Sequence, residues 1–210
     1  MNQTYFILLL IFFSVVASGC VGLHPEFVHD SLNTAPPRVI AVLPPENLTS
    51  NTEVEEKLYP IISTRLAERG FYVISPEMVR EIFNANKLEE AAMINQLDPK
   101  KFNEIFGADA IIKTRVTEWS SKYIVLSSTV NVGLDMELYD AQTGNLLWKM
   151  HRLLSKAPNS NNNGGLVGAL INAAIHAAVV PYEPIADENT TTMYSTIPNG
   201  PFMQAWGIAK

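Results

Sequence analysis

Few side chains in this chain could do reactive chemistry, and Cys20 heads them as the sole cysteine among 210 residues. It lies in "SVVASGCVGL" (14–23), directly behind the small residues Ala17, Ser18 and Gly19. A lone thiol in an exported protein is normally oxidised to a partner or covalently modified. Asp135 and Glu137 are a second candidate, since two carboxylates on one strand face can work as acid and base when burial drives their pKa values apart. Here they alternate with core residues and so point outward, with Lys113, Arg115 and Lys149 expected nearby. Charge pairing on a solvated face is the better reading.

Asn172 and His176 lie four apart, on one face of an Ala-rich segment. They could line a polar seam in a homo-oligomer, accept a ligand, or form the wet side of an amphipathic helix, and the last is favoured. His24 and His29 sit five apart on a proline-bearing stretch, a poor metal spacing, and read as solvated surface. No phosphate loop, nucleotide fingerprint, zinc signature or nucleophile elbow occurs. A Ser/His/Asp triad is spatial, but nothing local marks a nucleophile. No catalytic, cofactor-binding or metal residue is therefore assigned, and a non-enzyme is expected.

What positions Cys20 is the apolar run before it. "YFILLLIFFSVVA" (5–17) has the length of a signal-peptide core and falls short of the about 20 residues that span a bilayer. "ASGC" resembles the bacterial lipobox. The resemblance implies that the Cys20 thiol takes a diacylglycerol, that residues 1–19 are removed as a signal peptide, and that the new amino group is acylated. Ala17 stands where leucine is commonest, and Met1–Thr4 holds no Lys or Arg. An uncleaved anchor over Tyr5–Leu23 and a plain leader with an incidental cysteine are the alternatives. Val21 in place of Asp resembles the class sorted to the outer membrane, with the periplasmic face expected. One acyl chain holds only marginally at about 0.8 kcal/mol per buried methylene, whereas three make a lasting anchor.

Residues 1–19 carry no charge, so the remainder keeps the formal net charge of −6. An acidic balance argues against nucleic acid as a partner. Stability must come from packing alone, which a chain of this size can supply. One domain over 38–180 is expected, between a lipidated tether (20–37) and a poorly structured tail (181–210).

The pattern within that domain changes part-way. "RVIAVLPPEN" (38–47) and "FYVIS" (71–75) read as strands buried on both faces. "EVEEKLYPIISTRLAERG" has helical spacing with Gly70 as a stop, and Pro60 either kinks it or marks its start. Ser75–Pro76 and Asp98–Pro99 read as cap and first turn of two further helices, the first burying Met78, Val79, Ile82 and Phe83, the second Phe102, Ile105 and Phe106. "LEEAAMINQL" between them is another short helical turn. After residue 108 the period becomes two. "ADAIIKTRVTEW" (108–119), "TVNVGLDMELYD" (129–140) and "NLLWKMHRLL" (145–154) form an antiparallel meander. Pairing Leu138 with Leu146 would set Met136 against Trp148 and Asp135 against Lys149. "LVGALINAAIHAAVV" (166–180) is an Ala/Gly-rich helix, the first candidate for a partner contact. Phe202 and Trp206 either dock on their own domain or anchor something else. Asn47 and Asn189 match the glycosylation pattern by chance.

The series "IAVLPPEN", "LAERGFYVIS", "FGADAIIKTRVTEW", "LYDAQTGNLLW" and "NGGLVGAL" resembles, over about residues 36–180, a family of bacterial lipoproteins that includes a neisserial surface-antigen candidate. That family is similar in fold to the amino-terminal domain of TolB, to the lipoprotein activator of penicillin-binding proteins, and to the periplasmic domain of CsgG-like lipoproteins. The resemblance implies a mixed α/β fold: two strand–helix units, then the meander and the C-terminal helix. It also implies a non-enzymatic accessory or assembly factor of the outer membrane, working beside other envelope proteins such as a CsgG-like lipoprotein. The alternative is a periplasmic binding module for a small ligand or cell-wall fragment.

Overall fold

The alternating segments pair into a single mixed sheet, seen in a computed structural model that describes residues 23–124, 127–156 and 181–205. In chain order the elements are β1 (Phe27–Val28), α1 (Ser31–Thr34), β2 (Val39–Val42), β3 (Glu46–Asn47), α2 (Val54–Glu68), β4 (Tyr72–Ile74), α3 (Pro76–Ala85), α4 (Ala91–Asn95) and α5 (Pro99–Phe106). They continue with β5 (Ala110–Ile124), β6 (Ser127–Asp140), β7 (Leu146–Lys156), α6 (Glu183–Tyr194) and α7 (Phe202–Ala205). The strand order is β1-β7-β6-β5-β2-β4, with β3 paired to β5 beyond the end of β2. β2 runs parallel to β4 and β5, and β5, β6, β7 and β1 are antiparallel in turn.

One face of the sheet is covered along its length by α2 and α6. Val130, Val132, Leu134, Met136 and Leu138, the unbroken alternation of β6, are all fully buried there. They pack with Leu58, Ile62 and Leu66 of α2 and with Ile185, Met193 and Tyr194 of α6 in one core. A fully buried Leu or Ile contributes about 1.5–3 kcal/mol relative to an exposed one. Among the described residues the second face is covered over β4, β2 and the start of β5, where Val79, Phe83, Ile94 and Phe102 from α3, α4 and α5 meet Ala41, Leu43 and Ile111. Phe83 and Phe102 stack obliquely with ring centres 5.5 Å apart. Ser75 and Asp98 cap α3 and α5 as expected, accepting from the backbone of Met78 and Lys100.

Several expectations need correction. The segment 181–210 is not a poorly structured tail up to residue 205, because α6 lies on the sheet with Asn189, Thr190 and Tyr194 fully buried. Residues 27–34, expected as tether, form β1 and α1, and Leu32 is fully buried. β4 is an edge strand with Tyr72 61% exposed, rather than a strand buried on both faces. Met78 and Ile105 face solvent, each the outer residue of a short helix whose inner face is already filled. α2 starts at Val54 and runs through Pro60. The β6–β7 hairpin is shifted by two residues, so Met136 pairs Met150, Glu137 pairs Lys149 and Asp135 pairs His151. An irregularity between Leu138 and Tyr139 takes up part of that shift. The Ala/Gly-rich segment 166–180 lies outside the described residues.

Gly133 shows how tightly the meander is built. A register irregularity between Val116 and Glu118 on β5 pushes Thr117 and Glu118 against it. A Cβ at Gly133 would stand 2.6 Å from the Thr117 hydroxyl and 2.9 Å from the Glu118 Cβ.

Candidate functional site

The part of the second face that no described helix covers carries two cross-strand rows of charge. Antiparallel pairing aligns Lys113 of β5, Glu137 of β6 and Lys149 of β7 in one row. It aligns Arg115, Asp135 and His151 in the next. Each row thus sets an acid between two basic groups, an arrangement that stabilises neighbouring strands. Asp135 and Glu137 do point outward with Lys113, Arg115 and Lys149 around them.

The contacts fall short of uniform. Glu137 accepts from the Tyr139 hydroxyl at 2.8 Å and pairs with the Lys149 Nζ at 3.3 Å. Asp135 is bonded to the His151 Nδ1. Arg115 lies between the two carboxylates, with N–O distances of 3.8 Å to Asp135 and 3.9 Å to Glu137. Those separations attract by charge but are too long for hydrogen bonds, so the guanidinium keeps its directed donors.

α4 and β3 raise a wall beside these rows. Asn95 fixes the wall by donating from Nδ2 to the carbonyls of Pro44 and Ala91, both at 2.8 Å. The result is a cleft of about 330 Å³, floored by Lys113, Arg115, Asp135, Glu137 and Tyr139 and walled by Glu46, Ala92, Asn95 and Gln96. Within it the Lys113 ammonium donates to the Asn95 carbonyl oxygen and lies 5.3 Å from the centre of the Tyr139 ring. Burial lowers the Lys113 pKa. The Tyr139 phenol is pushed up to about 12, by burial first and then by its bond to Glu137.

This geometry binds charge and does not resemble an acid–base centre. A general acid needs a carboxyl in an apolar pocket, whereas both carboxylates here are held by basic side chains. Sequence reasoning placed Lys113, Arg115, Asp135 and Glu137 together but missed Tyr139, and also Glu46, Asn95 and Gln96, whose place depends on where a five-residue helix lands. The signal for Tyr139 was there, since it continues the outward alternation of Asp135 and Glu137.

The remaining candidates do not gather at the cleft. His24 and His29 are exposed, and His29 bonds only its neighbour Ser31. Among the described residues no group of three or more His, Cys, Asp or Glu could hold a metal ion. No described helix is long and apolar enough to cross a membrane. Phe202 lies under the Arg38 guanidinium at 5.5 Å, so it docks on its own domain. Asn189 is fully buried. Cys20, Asn172, His176 and Trp206 lie outside the described residues.

Comparison with known proteins decides the family. The family described as "Putative lipoprotein GNA1162-like" matches residues 28–196. The chain belongs to this GNA1162-like lipoprotein family. Over 152 residues it is 33% identical to "Putative lipoprotein NMB1124/NMB1162" of Neisseria meningitidis serogroup B, covering 72% of this chain and 70% of that one. The crystal structure of lipoprotein GNA1162 from Neisseria meningitidis is similar at a TM-score of 0.56 and 31% identity, covering 68% of this chain and 98% of the other. The matched span runs from β1 to just past α6, so both ends of the GNA1162-like unit reach beyond the 36–180 that the sequence motifs mark.

Proposed function

We propose that this protein is a lipid-anchored lipoprotein of the outer membrane, facing the periplasm, that serves without catalysis as an accessory or assembly factor in a cell-envelope complex. The reading is carried by one conjunction: a lipobox-like "ASGC" at Cys20 in a chain of a lipoprotein family. Its complex is of the secretion or transport type, with a CsgG-like lipoprotein as the candidate partner. Support for a docking role comes from the sheet face that no described helix covers, whose charged rows offer a partner direction as well as attraction.

The anchor geometry narrows where the partner sits. β1 starts at Phe27, so only residues 20–26 separate the acylated cysteine from the sheet. Seven residues reach at most about 25 Å when fully extended. The domain therefore works close to the membrane surface, and its partner is membrane-proximal.

Affinity capture of the acylated protein from crosslinked native membranes tests this. Recovery of an envelope protein that is lost on the charge reversals Asp135→Lys and Arg115→Glu is the expected result. Recovery of no envelope protein above background would contradict the proposal.

A further inference from the structure

We infer that the cleft between β3, α4 and the open face of β5 and β6 binds a small zwitterion of the amino-acid or short-peptide class. Lys113 and Arg115 take its carboxylate and Glu46 takes its ammonium.

The inference begins with which charges in the cleft are already occupied. Asp135 is held by His151 and Arg115, and Glu137 by Lys149, Arg115 and the Tyr139 hydroxyl. Lys113 and Glu46 are different, for neither forms an ion pair among the described residues, although both line the same cleft. Lys113 has a single hydrogen bond, to the Asn95 carbonyl, which leaves two of its three donors unused. Glu137 is its cross-strand neighbour, yet that carboxylate is turned to other partners. A half-buried ammonium without a bonded counter-ion is disfavoured, and burial lowers its affinity for the proton despite the attraction of Glu137 and Asp98.

Register then fixes the spacing. Glu46 pairs with Arg115 in parallel strands, which places both side chains on one face. Lys113 lies two residues back along β5, about 6.6 Å away, while Glu46 is about 4.8 Å across. A dipeptide of extended length about 7 Å bridges these groups. A simple anion would answer Lys113 and meet Glu46 with like charge, and a simple cation would do the reverse. Only a molecule bearing both charges completes the set. The cleft volume of about 330 Å³ lies at the small end of ligand sites, about 300–1,000 Å³. Its floor is charged rather than hydrocarbon, so charge placement and not apolar bulk selects the occupant.

The test uses the full acylated chain in detergent micelles, titrated at matched ionic strength with glycylglycine, acetate and methylamine. Glycylglycine should bind about tenfold more tightly than either single-charge probe. Glu46→Gln and Lys113→Met should each weaken it by about tenfold, while Lys101→Gln, an exposed residue of α5, leaves it unchanged. Thermal unfolding of both cleft variants confirms that they remain folded, and Glu46→Gln, altering one partly exposed side chain, carries the test alone if Lys113→Met does not fold. Glycylglycine that binds no better than acetate, that fails to bind at about 10 mM, or that binds folded Glu46→Gln equally well would overturn the inference. None of these outcomes bears on anchoring at Cys20 or on the capture of an envelope partner.

Discussion

Asp187 of α6 grips Arg65 of α2 through two side-by-side hydrogen bonds, Nε to Oδ1 at 2.5 Å and Nη2 to Oδ2 at 2.6 Å. The fork-to-fork geometry joins the segment after residue 181 to the first long helix of the domain. Both side chains are about one-third exposed, so solvent weakens the pair. Asp187→Asn should lower stability by about 1 kcal/mol. Urea unfolding of the variant checks this, and an unchanged midpoint would mean that the pair adds nothing to the hold on α6.

Beneath that clamp lies Asn189, fully buried. Its Nδ2 donates to the Val132 carbonyl at 2.9 Å, and its Oδ1 accepts from Arg152 at 2.7 Å. Asn189→Leu keeps the branched shape, at somewhat greater bulk, but strands a buried carbonyl and a guanidinium, so a loss of about 2–3 kcal/mol is expected. The same variant should raise hydrogen exchange in the middle of β6, which exchange mass spectrometry would detect.

The chain after α6 closes back on the α2–β4 turn. Gly200 donates its N–H to the Arg69 carbonyl at 2.7 Å, and Phe202 donates to the Gly70 carbonyl at 3.0 Å. A Cβ at Gly200 would stand 2.3 Å from the Gly70 carbonyl oxygen, a backbone atom that cannot swing away. Gly200→Ala should therefore destabilise by about 2 kcal/mol or more, whereas Asn199→Ala next to it should do far less. Equal midpoints for the two variants would contradict the close approach.

Stability at alkaline pH should show two opposed slopes from the cleft. The Lys113 pKa is lowered from 10.5 by burial, so the unfolded chain holds more protons just below that value and stability rises with pH there. The Tyr139 pKa is raised from 10.0 to about 12. Its stabilising contribution is whole below pH 10 and is lost as the pH climbs towards 12. Lys113→Met should remove the rise and Tyr139→Phe should lessen the later fall, to which the buried Tyr59 and Tyr194, their phenols also pushed up by burial, contribute, read from denaturant midpoints across the alkaline range.

Much of the framework was legible because it obeys a simple period. β6 could be read residue by residue, since every second side chain is apolar and every one of those is buried. The caps at Ser75 and Asp98 were legible because a short polar acceptor followed by proline has few other uses. The hairpin register was not, because an irregularity at Leu138 and Tyr139 shifts the pairing without disturbing the apolar alternation.

α6 was missed for a different reason. Its buried positions 185, 186, 189, 190, 193 and 194 repeat with a helical period, but Asn189 and Thr190 occupy two of them. Polar residues on the inner face disguise the stripe, and Asn189 is tolerated there because Val132 and Arg152 bond its amide. The two-residue strand β1 has no period to read at all. The cleft shows the same division: its floor follows from strand alternation, and its wall from how α4 packs, which no local pattern encodes.

The proposed thioether at Cys20 would tie an acidic α/β domain to the membrane, and everything proposed for its role depends on it. Intact mass spectrometry of the protein isolated from its native membrane tests it most directly. The account predicts a chain beginning at Cys20 that carries a diacylglycerol on sulfur and a further acyl group on the amino terminus. A free thiol without fatty chains, or a precursor that retains residues 1–19, would contradict it.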